Sequence, residues 1–346
     1  MQQLQTLPAL TVLEGNLHAW LRDWSSAELR SSLPTRLHEL TLGIPDSHTP
    51  AILQQLVNAL PVLQNLNRLV LLPRDEISWD RELSSSLRLE PLLRLPQLTE
   101  LVWNIGDLTL PQLAVVKQIG SLRYLSSNYG RFSAEQLSFL SQPPHRLEQL
   151  EVINLFQTDV GAAHMAALTR LPGITRIKHT ESMHLDAFPM LPRLPHLQRL
   201  VLNLPVFANC SGVDREILDS SLRACPQLTE VATEDGECSE AVGERLLRAL
   251  PHLRKLSIVE ASIPSLRFLR HAPNLKDLEF DECKDLRPGH VVGIGTFVPQ
   301  LECLSAVFCA DLLLDEAEEQ MLTPPRAIRL PRLREFRYYE QPEGFG

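Results

Sequence analysis

The chain has 346 residues, 44% of them hydrophobic and 5% aromatic, with 33 Lys+Arg against 42 Asp+Glu and a formal net charge of −9. This acidity argues against nucleic acid as the general partner, because holding a phosphate backbone needs a clustered basic surface; it favours a protein partner carrying a basic patch. No apolar run on the order of eighteen residues occurs and the start lacks a basic-then-apolar leader, so neither a membrane span nor secretion is expected.

Residues 1–35 read as an N-terminal capping region, with a weak motif copy at Leu10 and a helix-like stretch from Trp20 to Leu29. From there one pattern, Leu-Pro-x-Leu-x-x-Leu-x-apolar, recurs along the chain and is clearest at Leu250 to Ile258. Aligned on its first apolar position, it gives thirteen copies, at Leu10, Leu37, Leu66, Leu98, Leu122, Leu147, Ile174, Leu197, Leu228, Leu253, Leu275, Leu301 and Leu333, about 27 residues apart. A fixed period in this range is the signature of a stacked repeat architecture.

Within a copy the fourth and sixth positions are usually apolar too, as in Leu101 and Trp103, Leu200 and Leu202, Leu256 and Ile258, and Leu278 and Phe280. This alternation predicts a short strand with one face buried. Upstream stretches such as 51–60 and 243–250 carry a helical period, so each unit reads as helix, turn, strand. Pro61, Pro96, Pro172, Pro195, Pro226, Pro251, Pro273, Pro299 and Pro331 punctuate the units, since proline lacks the amide hydrogen of an intrahelical bond and drives its predecessor out of the helical region. Longer intervals at 73–93, 205–223 and 310–330 read as loop insertions. The repeats run over 36–338, the tail is 339–346, and the whole of 1–346 reads as a single domain.

No phosphate loop, zincin, nucleophile-elbow or Cys-x-x-Cys motif is present, so no catalytic residue, cofactor or metal site is assigned. His179 and His184 around Glu181 read as surface histidines, and His145, His196 and His252 as parts of turns. The six cysteines lack terminal clusters and read as reduced thiols in the cytoplasm, with the nucleus as the alternative compartment.

Binding is the better-supported chemistry. Stacked strands would expose the third, fifth and seventh residues of each copy on one concave face. Those positions and their neighbours give Asn104, Tyr124, Asn128 and Tyr129 as an amide and tyrosine cluster. Arg176, Lys178 and Arg199 form a basic stripe, and Glu230, Glu234, Asp235, Glu260, Asp277, Glu279 and Asp281 an acidic patch. Lys255 is the one cation among the patch's strand positions, and the carboxylates are expected to repel one another unless a basic ligand docks.

The repeats resemble the leucine-rich repeat superfamily, in particular its long-repeat forms: ribonuclease inhibitor-like proteins and the leucine-rich halves of F-box proteins. Leu275-x-x-Leu278-x-Phe280-x-x-Cys283-x-x-Leu286 and Leu301-x-x-Leu304-x-Ala306-x-x-Cys309-x-x-Leu312 look like the cysteine-containing repeat. The resemblance implies an α/β solenoid, a horseshoe with a parallel sheet on its concave face and helices on its convex face. It further implies a non-enzymatic scaffold for protein binding, with a substrate receptor of an F-box type ubiquitin ligase as the most concrete form. A regulator of another enzyme, inhibitor or GTPase activator, is the alternative. The oligomeric state is not readable from the chain.

Overall fold

The computed structural model describes residues 10–16, 27, 31, 33–44, 50–73, 86–127, 132–144, 146–155, 158–178, 183–203, 212–309 and 330–339. The chain forms two compact units, 1–179 and 180–346. In the first, seven parallel strands follow in chain order: β1 (Val12–Asn16), β2 (Glu39–Ile44), β3 (Arg68–Pro73), β4 (Glu100–Trp103), β5 (Tyr124–Ser126), β6 (Val152–Asn154) and β7 (Arg176–Lys178). In the second, six do the same: β8 (Arg199–Asn203), β9 (Glu230–Glu237), β10 (Lys255–Ser262), β11 (Asp277–Asp281), β12 (Cys303–Val307) and β13 (Glu335–Tyr339). Within each unit, one strand per copy, each parallel to the last and joined through a helical segment, is the α/β leucine-rich repeat arrangement.

The motif's residues explain this geometry. Leu-Pro-x-Leu is a β-turn: the N–H of Leu253 donates to the Leu250 carbonyl at 3.1 Å, and Leu98, Leu197 and Leu275 donate in the same way to Leu95, Leu194 and Ala272. Proline suits the second place of such a turn, where φ near −65° is required. Pro61 departs from the pattern. It lies one turn earlier, inside the 3-10 helix Leu60–Val62, and Gln64-Asn65 make the turn of that copy.

Within each unit, two hydrogen bonds then fix each strand to the next. The carbonyl of a copy's second residue accepts from both the second and third N–H of the following copy. His38 takes Asn67 and Arg68 at 2.8 and 3.0 Å, and Arg254 takes Lys276 and Asp277 at 2.8 and 3.0 Å. This register stacks the fourth positions into continuous rows, Leu40, Leu69, Leu101, Leu125, Ile153 and Ile177 in one unit and Leu200, Val231, Leu256, Leu278, Leu304 and Phe336 in the other. It corrects the sixth copy, which starts at Leu150 and not at Leu147, because Leu147–Gln149 form a 3-10 turn ahead of the strand. From Leu40 to Leu304 these side chains are at most 2% exposed. At the sixth position Ser127 and Thr233 are buried where an apolar residue was expected.

The helical segments are α1 (Pro50–Ala59), α2 (Leu110–Val116), α3 (Ala134–Ser141), α4 (Ala162–Leu168), α5 (Gly212–Arg223), α6 (Glu240–Ala249) and α7 (Pro288–Phe297). Where prolines fall inside the segment, as Pro91 does in 90–94 and Pro189 and Pro192 do in 185–193, a 3-10 helix takes the place of the α-helix.

A recurring side-chain tie joins helix starts to the preceding copy. At the third position of α2, the Gln112 Oε1 accepts the Thr109 N–H at 2.9 Å while its Nε2 donates to the Leu87 carbonyl at 3.0 Å. Gln136 of α3 links Ser133 and Leu108 at 2.7 Å each. His164 of α4 does the same with its ring: Nδ1 accepts the Gly161 N–H at 3.2 Å and Nε2 lies 3.1 Å from the Phe132 carbonyl. A neutral Nε2–H imidazole satisfies both bonds. His290 of α7 accepts the Arg287 N–H through Nδ1, and burial, followed by the Arg287 charge, holds its pKa below the ordinary value, as an acceptor role requires. Each tie needs an acceptor and a donor on one short side chain, which glutamine and histidine both supply.

Gln112 is 2% exposed, so Gln112→Leu orphans two backbone groups and should cost about 1–3 kcal/mol for each in urea unfolding. The exposed Gln142→Leu should cost within about 0.5 kcal/mol of nothing. Equal costs for the two variants would show that the tie contributes no stability.

A candidate protein-binding face

The third residue of each copy is half-exposed or exposed on the side of the sheet away from the buried leucines, and the register turns these residues into lateral rows of side chains. In the first unit the row runs Val12, Glu39, Arg68, Glu100, Tyr124, Val152, Arg176. Arg68 sits between two carboxylates, 3.2 Å from Glu39 and 3.2 Å from Glu100. In the second unit it runs Arg199, Glu230, Lys255, Asp277, Cys303, Glu335. Charges alternate along both rows, because each strand meets the next only about 4.8 Å away.

The fifth positions behave differently from expectation. Val70, Val102, Ser126, Val201, Ala232 and Ser257 are buried, whereas Thr41, Asn154, Lys178, Glu279 and Ser305 stay half-exposed. Asn104, expected to face a partner, is likewise buried at 2% exposure just past the end of β4, and it leaves the candidate surface.

Tyr124 remains half-exposed, with the Lys178 Nζ 5.4 Å from its ring centroid, a cation–π contact that reaches across β6. Below that contact, Asn154 Nδ2 donates to Ser126 Oγ at 3.1 Å. Arg176 is exposed beside them. Asn128 and Tyr129 lie outside the described residues. Arg199, the third member of the basic stripe, belongs to the second unit, where it is half-exposed opposite Glu230.

The acidic patch is organised around Lys255. Its Nζ is 3.1 Å from Asp277 Oδ2 and 3.4 Å from Glu279 Oε2, and Ser257 Oγ lies 3.3 Å from that same Glu279 oxygen. Burial opposes the ammonium charge, yet Asp277 and Glu279 outweigh it and hold the Lys255 pKa above its ordinary value. The expected repulsion is therefore cancelled at two of the carboxylates. At Asp281 it persists. Asp281 Oδ1 is buried with no hydrogen-bond partner among the described residues. Burial first, then Glu282 and Glu279, push this carboxyl above the usual range, against the pull of the Glu282 backbone.

Glu260 and Glu282 are exposed at the strand ends, each in the left-handed region with φ of 52° and 51°, and Phe308 repeats that conformation at 51° one copy later. Glu230 is half-exposed in the third-position row. Glu234 and Asp235 lie on β9, but their side chains fall outside the described residues. A small cavity of about 150 Å3 opens on this face between Lys255, Asp277, Glu279, Cys303, Glu335 and Arg337. Neighbouring second-position residues pair as well, Lys276 with Glu302 at 2.7 Å.

The thiols do not point to chemistry. Cys225, Cys238, Cys283 and Cys309 are buried free cysteines. Burial pushes Cys225 up to about 11 and Cys238 up to about 12, with Glu237 adding to the second. The hydrogen bond with Cys309, followed by burial, raises Cys283, and the same bond, against burial, lowers Cys309. Cys283 Sγ also lies 3.1 Å from the Ile258 carbonyl, closing off the end of the preceding strand. Thiols held protonated, as Cys225, Cys238 and Cys283 are, are poor nucleophiles and poor metal ligands. Among the described residues no group of three His, Cys, Asp or Glu is placed to hold a metal ion. His184 is exposed, and His179, Glu181 and His145 lie outside the described residues. No described helix is long and apolar enough to cross a membrane.

Among solved structures the chain is similar to an internalin (inlF) from Listeria monocytogenes str. 4b F2365, with 17% identity over 96% of this chain and 88% of that one and a TM-score of 0.44. No family model matches the chain. No curated protein matches it.

Sign and window follow for Asp281. Its folded pKa lies above the unfolded value near 3.9, so the folded state binds the extra proton. Stability is fully present below the unfolded value and falls as pH rises through the folded one. Asp281→Asn should equal or exceed the parent's stability at pH 7 in urea titrations, with the advantage shrinking as pH drops below that window. A variant less stable than the parent by the same amount at every pH would contradict a strained carboxylate.

Proposed function

We propose that the chain is a non-enzymatic scaffold that binds a basic protein partner on the exposed sheet face of β9 to β11. The observation that carries this reading is Asp281, a carboxylate with a buried, unpartnered oxygen among Glu260, Asp277, Glu279 and Glu282. Lys255 is the one cation on these strands, and it is already shared by two of the acids. An arginine or lysine from a partner would satisfy the remaining oxygen and lower the repulsion around it, which is how complementary charge gives specificity and association rate. In the first unit, Tyr124 with Lys178 and Arg176 supplies an amphipathic ring beside cations, a composition suited to protein contact.

The resemblance of the Cys283 and Cys309 copies to the cysteine-containing repeats of F-box proteins supports a finer form, the substrate receptor of a ubiquitin ligase in the cytoplasm or nucleus. In that form 1–346 acts as one solenoid domain. Regulation of another enzyme through the same face is the alternative, favoured by the resemblance to ribonuclease inhibitor-like repeats. Capture of a cullin adaptor by the full chain separates the two.

Affinity capture from native lysate, quantified by mass spectrometry, tests the face itself. Glu260→Lys with Asp281→Lys spares the acids that hold Lys255, and should deplete the captured basic proteins about tenfold, or about 1.4 kcal/mol, with the unfolding midpoint retained. Undiminished capture would remove the β9 to β11 face from consideration.

A further inference from the structure

β13 stands at the end of the second unit's strand order, and its outer edge meets no strand among the described residues. The core rows register this. First-position leucines from Leu197 to Leu301 are at most 1% exposed and fourth-position side chains from Leu200 to Leu304 at most 2%, whereas Leu333 and Phe336 of the last copy are half-exposed. A stacked repeat buries its apolar residues against the copy after it as well as the copy before. Here only the copy before is present among the described residues.

The pairing of β13 with β12 fixes where its backbone points. The Glu335 N–H donates to the Glu302 carbonyl at 3.2 Å, and successive residues of a paired strand turn their N–H and C=O groups to alternate sides. Glu335 and Arg337 therefore present their backbone groups to β12, while Phe336 and Tyr338 present theirs to the open edge. Such an edge is a template for another strand. The side chains follow the pleat: Glu335 and Arg337 are exposed on the face away from the leucines, with Arg337 Nε 2.6 Å from Glu335 Oε1, and Phe336 lies in the fourth-position row on the other face.

We propose that β13 is a dimerisation strand, adding antiparallel to β13 of a second copy of this chain about a twofold axis at Phe336. With Phe336 opposite Phe336, Glu335 of each copy stands opposite Arg337 of the other. Residues paired in this way lie about 4.5 Å apart at Cα, between the hydrogen-bonded pairs, where opposite charges stabilise the sheet. The same alignment lets the two Phe336 backbones exchange N–H and C=O bonds and lays one half-exposed ring beside the other. Sliding one copy by two residues either way sets Arg337 against Arg337 or Glu335 against Glu335, so the strand's own charges select one register. Twofold symmetry makes every contact twice and closes the assembly at two chains. One strand per copy is a small interface, of the weak and exchanging kind. The dimer carries the β9 to β11 face twice, which would raise the avidity of a partner with two binding segments.

Sedimentation velocity of the full chain over a concentration series tests this. The parent should pass from monomer to dimer and stop there. Glu335→Arg and Arg337→Glu, each alone, set like charges across both halves of the pair and should lower the association constant about tenfold or more. An equimolar mixture of the two variants restores opposite charges between unlike copies alone, and should form a heterodimer with affinity near the parent's. Amide hydrogen exchange of the parent needs no substitution: the Phe336 and Tyr338 amides should slow at concentrations where the dimer forms. Glu260→Lys with Asp281→Lys should leave the dimer intact, so failure here and failure of the sheet-face reading are distinguishable. A chain that stays monomeric, growth beyond the dimer as end-to-end stacking of β13 on β1 would give, a mixture that associates no better than its components, or edge amides indifferent to concentration would overturn the proposal.

Discussion

The structure depends on one small arrangement: the carbonyl of each copy's second residue accepting two N–H groups from the next copy. That pair of bonds sets strand direction, register and spacing together. Once it repeats, the fourth positions must coincide, and a leucine there is buried between like neighbours instead of against a separate core. Substituting such a residue removes contact on both sides, which is why the cavity cost of about 2–5 kcal/mol for Leu256→Ala is not avoided by the short length of the strand. The β-turn at Leu-Pro-x-Leu returns the chain from the helix layer at the right point to make the next pair.

The same register governs the surface. Side chains brought within a strand spacing of each other must either alternate in charge or repel. Arg68 between Glu39 and Glu100, and Lys255 between Glu230 and Asp277, are the alternating solution. Asp281 is where alternation stops, since Val259 and Val307 flank it and no cation arrives from either side. An unfilled requirement on an otherwise matched face is a physical basis for partner choice.

Much of this was legible in the sequence because periodicity is a property of the chain itself. The thirteen copies, the strand at each and the buried fourth positions follow from counting apolar residues, save that the sixth copy aligns at Leu147 where the strand register starts it at Leu150, since both leucines fit the motif. The seventh-position reading failed at Asn104, and the fifth positions closed up where the residue is short, as at Val70, Ser126 and Ala232, but not at Lys178 or Glu279. Likewise Asp277, Glu279 and Lys255 read as a repelling patch with one cation, whereas register places that cation where it meets two of the acids. The Gln112, Gln136 and His164 ties were invisible as a set. Their signal, a Gln or His at the third residue of a helix start, is a mixed residue type at a position that hydrophobic alignment does not register.

The most direct test of the account is residue-resolved amide hydrogen exchange on the intact chain. Parallel register through paired bonds predicts protection recurring at the second and third residue of each copy, at Asn67 and Arg68, Thr229 and Glu230, and Lys276 and Asp277. Protection confined to the helical segments, with these amides exchanging as freely as loop residues, would contradict it.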